Sequence, residues 1–257
     1  MSGIISAEDV NDVFRGEVYG EDDIFTAESF ADFVARNDVD LRLSPRMRDA
    51  GGLIGLMVIG RRAARGWFGA YGVVPELREA GLGRKIFAES LECSRAAGLV
   101  SIEFEVLQRN VHAVRLYRSF GFETLDELLV WGRRPRSRAH GRLRYEKRRE
   151  ADIAKLARHP STCWQREPRS VAAAKASALI ECDGAYAYVR VRDERALILD
   201  AAARDIEAAR ALVRELDRRV PYDLTLNNEP AASPVSAALR ESRWHVVEHQ
   251  NRMMLLL

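Results

Sequence analysis

The segment Val73-Val-Pro-Glu-Leu-Arg-Glu-Ala-Gly-Leu-Gly-Arg-Lys-Ile86 constrains this chain more than any other. It joins a run that reads as a strand, 66–74, to one that reads as a helix, about 83–97. Pro75 cannot donate to a strand ladder and so ends the strand. Two glycines in the opening turn of a helix cost about 1 kcal/mol each relative to alanine. What they allow is close approach. Without a Cβ at Gly81 and Gly83, the N–H groups of the helix start can close around a phosphate, where the helix dipole also favours negative charge. Arg84 and Lys85 add positive charge beside them. Two familiar phosphate patterns do not match: the Walker ending GK[ST] is absent, and Ile86 stands where a Rossmann loop needs its third glycine. G-x-G alone would better suit an ordinary loop with incidental glycines.

The rest of the chain alternates between strand and helix patterns. Helices are expected at 7–18, 26–37 and 111–120, and strands at 40–46, 52–59, 100–107 and 122–131. Later come a helix near 150–157, strands at 178–182, 185–191 and 195–200, and a helix at 205–219. A strand at 222–227, a helix at 234–241 and a strand at 244–256 complete the chain. The order strand, helix, strand, helix, strand at 66–131 therefore recurs at 195–256. At about 150 residues per domain, 257 residues allow one large domain or two small ones. The recurrence favours two, at 1–135 and 150–257, joined by a linker or hairpin at 136–149. The fold class expected is α/β (α+β), a mixed central sheet flanked by helices, present twice.

Composition excludes several alternatives. With 47% hydrophobic and 30% charged residues the chain can bury a core and is not a disordered one. Apolar runs such as 52–60 and 253–257 fall short of the roughly 20 residues of a spanning helix. The opening residues carry no basic segment and no long apolar stretch. Cys93, Cys163 and Cys182 are too widely spaced for a disulfide framework or a zinc knuckle. A cytoplasmic protein without membrane contact is expected. The net charge of +2 points to no polyanionic partner, but residues 1–135 are net −4 and residues 136–257 net +6. Residues 133–149 hold nine Lys and Arg side chains with Tyr145 as the one Phe, Tyr or Trp among them and no recognised binding motif, which reads as a solvated connection rather than a nucleic-acid surface.

Arg-x-x-Gly-x-Gly after Val-x-Pro, at Arg78 to Gly83, resembles the pyrophosphate loop of the GNAT acetyltransferase superfamily. Downstream, Glu105-Val-Leu-Gln-Arg-Asn-Val-His-Ala-Val-Arg-Leu-Tyr-Arg-Ser-Phe-Gly-Phe122 is similar to the family's second signature of strand, Asn, helix, Tyr and Gly-Phe. The match covers about 44–133, and two ordered motifs about 30 residues apart are more specific than either alone. The resemblance implies an acyl-CoA-dependent N-acyltransferase, with acetyl-CoA as co-substrate, a small-molecule or peptide amine as acceptor, and no metal. Its pantetheine arm would lie beside Tyr71, Gly72 and Val73. The pyrophosphate would rest on the loop formed by Arg78, Glu79, Ala80, Gly81, Leu82, Gly83 and Arg84, and Asn110 would contact the arm from the other side. Tyr117 matches the family's general acid toward the departing thiolate, a role suited to a phenol with a reference pKa of about 10. A core tyrosine with a wet tip is the structural alternative. An acceptor amine must lose a proton before attack, and Glu105, Glu103 or a water chain could take it. The oxyanion would meet a backbone N–H near Val73.

The second copy lacks these parts. Asp200-Ala-Ala-Ala-Arg-Asp-Ile-Glu has no glycine for backbone approach, and Asp200, Asp205 and Glu207 would repel a pyrophosphate. No tyrosine near Ala237 to Arg240 stands for Tyr117. Residues 150–257 are expected to be degenerate and non-catalytic, covering part of the acceptor site or forming a subunit contact as in a homodimer. His245-Val-Val-Glu-His249 fits the H-x-x-E-H pattern of a zinc peptidase group, but its β-branched alternation reads as a strand. Glu17, Glu21, Asp22 and Asp23 lean the acceptor toward a cation, against a plain solvated acidic turn. A CoA-binding sensor without turnover is the alternative function.

Overall fold

The computed structural model describes residues 5–15, 25–50, 52–78, 80–135, 143–146, 149–154, 158–174, 177–192 and 194–257. Helices α1 (Ala7–Phe14) and α2 (Ala27–Arg36) precede strands β1 (Arg46–Asp49), β2 (Gly52–Arg62) and β3 (Arg65–Val73). Helix α3 (Leu82–Ala96), strand β4 (Ser101–Leu107), helix α4 (Val111–Ser119) and strand β5 (Glu123–Arg133) follow. After them come β6 (Tyr145–Glu146), α5 (Glu150–Ile153), α6 (Pro168–Ala173), β7 (Ser177–Cys182), β8 (Ala185–Arg192) and β9 (Arg195–Ala203). The chain ends with α7 (Ile206–Arg219), β10 (Asp223–Pro230), α8 (Pro234–Arg240) and β11 (His245–Leu256). The expected order is present at both places, as β3-α3-β4-α4-β5 and β9-α7-β10-α8-β11. Among the described residues no helix is long and apolar enough to cross a membrane. The chain forms two compact units. Unit 1 comprises 1–104, 118–122 and 254–257, and unit 2 comprises 105–117 and 123–253.

In unit 1, β2 pairs antiparallel with β1 and β3, and β3 runs parallel to β4. The apolar run of β2 is buried on both faces, with Leu56, Met57, Val58 and Ile59 at 0% exposure. An uninterrupted apolar strand is what a sheet covered on both sides requires. Leu56, Val58 and Val74 pack with Val10, Val13 and Phe30 of α1 and α2. Phe68, Phe87, Phe104 and Phe122 form a separate aromatic cluster with centroid spacings of 4.8 to 6.5 Å. Ser6 and Asp9 form a capping box at the start of α1, and Asp9 also binds Arg46 and Arg48 of β1. The parallel ladder between β3 and β4 comprises Arg65↔Ser101, Gly66↔Ile102 and Trp67↔Glu103. Gly69 is then extra in the register with β2, and β3 continues along β2 to Val73.

The strand expected at 40–46 is a turn instead, and β1 begins at Arg46. The Asp40 carboxylate accepts from the N–H groups of Arg42 and Leu43, its carbonyl accepts from the Ser44 hydroxyl, and Pro45 follows. These local bonds compete with a ladder, which is how aspartate nucleates turns. Helix α1 ends at Phe14, short of the expected 18, and residues 16–18 lie outside the described residues.

In unit 2 the strand order is β11-β5-β10-β9-β8-β7-β6, with β9 parallel to β10. Alternation along β8 separates two cores. Ala185, Ala187 and Val189 face Leu212, Leu216, Leu239 and Trp244 of the α7 and α8 layer, whereas Tyr186 and Tyr188 face Ile153 and Val171. The turn at Trp164–Arg166 and helix α6 were not anticipated between 157 and 178. The basic stretch starting at 133 was expected to be solvated, and at its first residue it is not. Arg133 is 4% exposed, ends β5, faces Asp217 at 3.3 Å and donates to the Val220 carbonyl at 2.9 Å. Residues 136–142, 147 and 148 lie outside the described residues.

Candidate active site

Unit 1 holds the glycine loop. A short turn at Pro75–Leu77 leads from β3, and Gly81 caps α3 with φ +74°, ψ −3°. That left-handed conformation disfavours a residue with a Cβ, yet a Cβ built there would meet nothing within 4 Å. Helix α3, of 15 residues, is the longest among the described residues. Among described helices of seven residues or more, only α3 starts without a capping side chain, and its first turn carries no acid. The first intrahelical bond runs from Lys85 N–H to the Gly81 carbonyl at 3.4 Å. The N–H groups of Leu82, Gly83 and Arg84 precede it and point out of the helix start. This is the geometry of an anion seat.

Gly83 has a packing reason as well. A Cβ there would lie 2.7 Å from Tyr71 Oη, so the glycine admits the tyrosine ring over the start of α3. Burial pushes the Tyr71 phenol up to about 12, which keeps it protonated and able to donate a hydrogen bond. Gly72 lies against α1, with Val13 Cγ1 2.5 Å from the position of a Cβ. Arg78 donates to the carbonyls of Val73 at 3.1 Å and Val13 at 3.0 Å, tying the loop to β3 and α1. Arg84 turns aside to the Ser119 hydroxyl at 2.9 Å and lies over the Phe120 ring at 4.8 Å. Val73 is buried, Leu82 is half-buried and Ala80 is exposed, whereas Glu79 lies outside the described residues. Glu17, Glu21, Asp22 and Asp23 also lie outside them.

Unit 2 holds the other group of expected residues. Glu105 is half-buried near the end of β4. Asn110 caps α4, its side-chain oxygen accepting from Ala113 N–H at 3.1 Å. Tyr117 is 8% exposed on the buried stripe of α4 with Val114. Glu103 belongs to unit 1, buried and 3.7 Å from Arg65, so its carboxylate answers an arginine. Sequence reasoning missed the structural use of Arg78 and of Asn110; Asn followed by a helix pattern is itself a cap signal. His245 and His249 lie on β11, and His249 Nδ1 is 2.8 Å from Glu127.

Residues 33–124 match the Acetyltransferase (GNAT) domain. No curated protein sequence matches the chain. Among solved structures, an acetyltransferase from Pyrococcus horikoshii superposes with a TM-score of 0.67 at 15% identity, covering 99% of this chain and 88% of that one. A GCN5-related N-acetyltransferase from Sphaerobacter thermophilus gives 0.64 at 13% identity, covering 98% and 92%. An acetyltransferase from Thermoplasma acidophilum gives 0.57 at 11% identity, covering 98% of each. Similarity at this level of identity is similarity of fold, and it extends over nearly the whole chain. The uncapped helix start lies within the matched residues, and the chain carries a GNAT acetyltransferase domain.

Proposed function

We propose that the protein is an acyl-CoA-dependent N-acyltransferase that moves an acetyl group from acetyl-CoA directly to an amine. The observation that carries this reading is the start of α3: no capping side chain, no acid in the first turn, and a left-handed glycine with open space around it. A pyrophosphate would receive the N–H groups of Leu82, Gly83 and Arg84. Arg78 would hold the loop in shape, and Tyr71 would line the path toward Val73. Acetyl-CoA supplies the activated acyl group. The amine nitrogen forms a bond to the acyl carbon as the carbon–sulfur bond breaks. Glu105 takes the proton the amine must lose, and the Tyr117 hydroxyl gives one to the departing thiolate. No protein nucleophile is needed.

In this proposal the second copy does no chemistry. Asp205 caps α7 with its own carboxylate, Oδ1 accepting from Ala208 N–H at 2.9 Å, so the corresponding seat is already filled by a negative charge. The β9/β10 ladder ends at Leu226↔Ile198. Beyond it Arg166, 4% exposed, donates to the Ala201 carbonyl of β9 at 2.6 Å and the Asn228 carbonyl of β10 at 3.0 Å. Asp200 and Glu229 flank the same guanidinium and hold it charged despite its burial. The chain's own arginine thus spans the two strands where they part. Thiol release from acetyl-CoA across a panel of amines tests the proposal. Tight CoA binding with no turnover on any amine would sink it in favour of a CoA sensor.

A further inference from the structure

Where β3 and β4 stop pairing, aromatic rings close both faces of the sheet, and every residue involved belongs to unit 1. The parallel ladder ends at Trp67↔Glu103, and the next residue on each strand is a phenylalanine. The rings of Phe68 and Phe104 stack with centroids 6.3 Å apart and planes 4° from parallel. They lie on the α3 side, where Phe68 meets Phe87 at 5.6 Å. Successive residues of a strand face opposite ways, and Trp67 meets Phe33 of α2 on the other side at 5.9 Å.

The indole of Trp67 also reaches along its own strand. A Cβ built on Gly69 would lie 2.2 Å from its Cζ3, 2.5 Å from Cη2 and 3.0 Å from Cε3. The six-membered ring therefore covers the backbone at Gly69. Gly69 has no left-handed φ that would call for a glycine, so the indole is the reason no side chain stands there. Gly69 is the extra residue in the register with β2, and past it Tyr71 is back on the α3 side, 5.5 Å from Phe87.

We propose that Trp67 sets the length of the acyl group: its indole over Gly69, opposite the Phe68 and Phe104 stack, stops the chain after about two or three carbons. This deepens the transferase reading and rests on it. A thioester arm beside Tyr71, Gly72 and Val73 leads back along β3 toward this closed end. At about 3.3 Å per residue, Gly69 lies about 7 Å before Tyr71. Trp67 is 1% exposed and backed by Phe33, so a longer chain must displace a packed indole. Close-packed interiors resist added methylenes, and one methylene in an apolar pocket is worth about tenfold or more in discrimination.

The test is calorimetry on the full chain with CoA, acetyl-CoA, butyryl-CoA and hexanoyl-CoA, with thiol release from the same thioesters across the amine panel. The parent should bind hexanoyl-CoA about tenfold or more weaker than acetyl-CoA. Trp67→Leu should bring the two within about threefold of each other and leave CoA itself at its parent affinity. Gly69→Ala, added to Trp67→Leu, returns a methyl to the opened space and should weaken hexanoyl-CoA again. A role in stability alone would move all four ligands together and not their ratio. If Trp67→Leu does not fold, Trp67→Phe removes less and should still narrow the gap between butyryl-CoA and acetyl-CoA. Hexanoyl-CoA bound by the parent as tightly as acetyl-CoA, or a ratio that no folded Trp67 variant moves, would overturn the proposal. Thiol release indifferent to chain length overturns it too and leaves the transferase reading standing. The expected binding profile without thiol release from any thioester breaks that reading and keeps Trp67 as the limit on the bound acyl group. Failure of all four ligands to bind overturns both.

Discussion

Helices α3 and α7 hold the same place in two copies of one element order, and they begin in opposite ways. Gly81 opens α3 with a left-handed backbone and no side chain over the first turn. Asp205 opens α7 with a carboxylate on Ala208 N–H and Glu207 in the first turn. Every helix start exposes N–H groups that need a partner. A side chain supplied from within makes a stable, closed helix end, whereas glycine leaves the place for an external anion. The strands tell the same story. Beyond the β9/β10 ladder the chain inserts Arg166 with two carboxylates, so unit 2 satisfies itself with its own groups.

The largest expected effect lies in that inserted arginine. Arg166→Met would leave Glu229 buried without its arginine and Asp200 with Arg158 alone, and breaking a buried ionic cluster by removing one partner typically costs about 3–5 kcal/mol. Urea unfolding should therefore shift strongly, while CoA affinity of the protein still folded in water stays at its parent value. A loss below about 1 kcal/mol would mean that the cluster does not hold unit 2 together.

On the open side of the comparison, Gly81→Asp places a carboxylate where the anion should rest. CoA affinity should fall by about 100-fold or more, roughly 2.7 kcal/mol. The local cost to stability is limited to the left-handed backbone, about 1–2 kcal/mol, because no neighbour lies within 4 Å of the new Cβ. Ala203→Asp, the mirrored change in the other copy, should leave CoA affinity alone. Gly83 is a less clean probe, since any side chain there meets Tyr71 Oη. Equal losses in isothermal titration from Gly81→Asp and Ala203→Asp would erase the distinction between the copies.

What the sequence made legible follows the range of the interactions. The glycine loop, the repeated element order and the apolar strand at 52–59 rest on local spacing and periodicity, and residues 66–131 could be read from them. The turn at Asp40 was missed because an apolar-polar alternation there is overruled by side-chain bonds to the backbone. The segment around Arg166 was missed for a different reason. Its carbonyl partners, Ala201 and Asn228, lie 35 and 62 residues away, and nothing near Trp164-Gln-Arg166 announces a buried charge. Arg78 was assigned to the cofactor by its place in a motif, and its bond to the Val13 carbonyl, 65 residues away, shows its structural work.

The copies also differ at their second helices. Tyr117 lies on α4, and α8 contains no tyrosine. Tyr117→Phe removes one hydroxyl and little volume, so CoA affinity should persist while kcat falls by about 10²-fold, the usual scale for losing a general acid. Glu105→Gln should instead abolish the acidic limb in the pH dependence of kcat/KM. An unchanged kcat in Tyr117→Phe, under saturating acetyl-CoA with a chemistry-limited acceptor, would leave water as the proton donor.

The smallest effect belongs to the cap that closes α7. Asp205→Ala removes the acceptor for Ala208 N–H and should lower the unfolding temperature by a few degrees. The Ala208 amide, and after it Arg204, hold the Asp205 carboxyl below its ordinary value. A carboxyl whose folded value is depressed stabilises the fold above its unfolded value of about 3.9 and loses that contribution as pH falls through the folded value. The difference between parent and variant should therefore be constant from about pH 5 to neutrality and close below about pH 4. A difference that persists in full once the folded carboxyl has protonated, as followed by carboxyl NMR on the same samples, would mean the cap works without its charge. The variant also bears on the comparison itself, because Arg166 still spans β9 and β10 when the cap is gone. CoA stoichiometry should stay at one per chain, and a second equivalent bound by Asp205→Ala would show that the cap alone had kept the second copy closed.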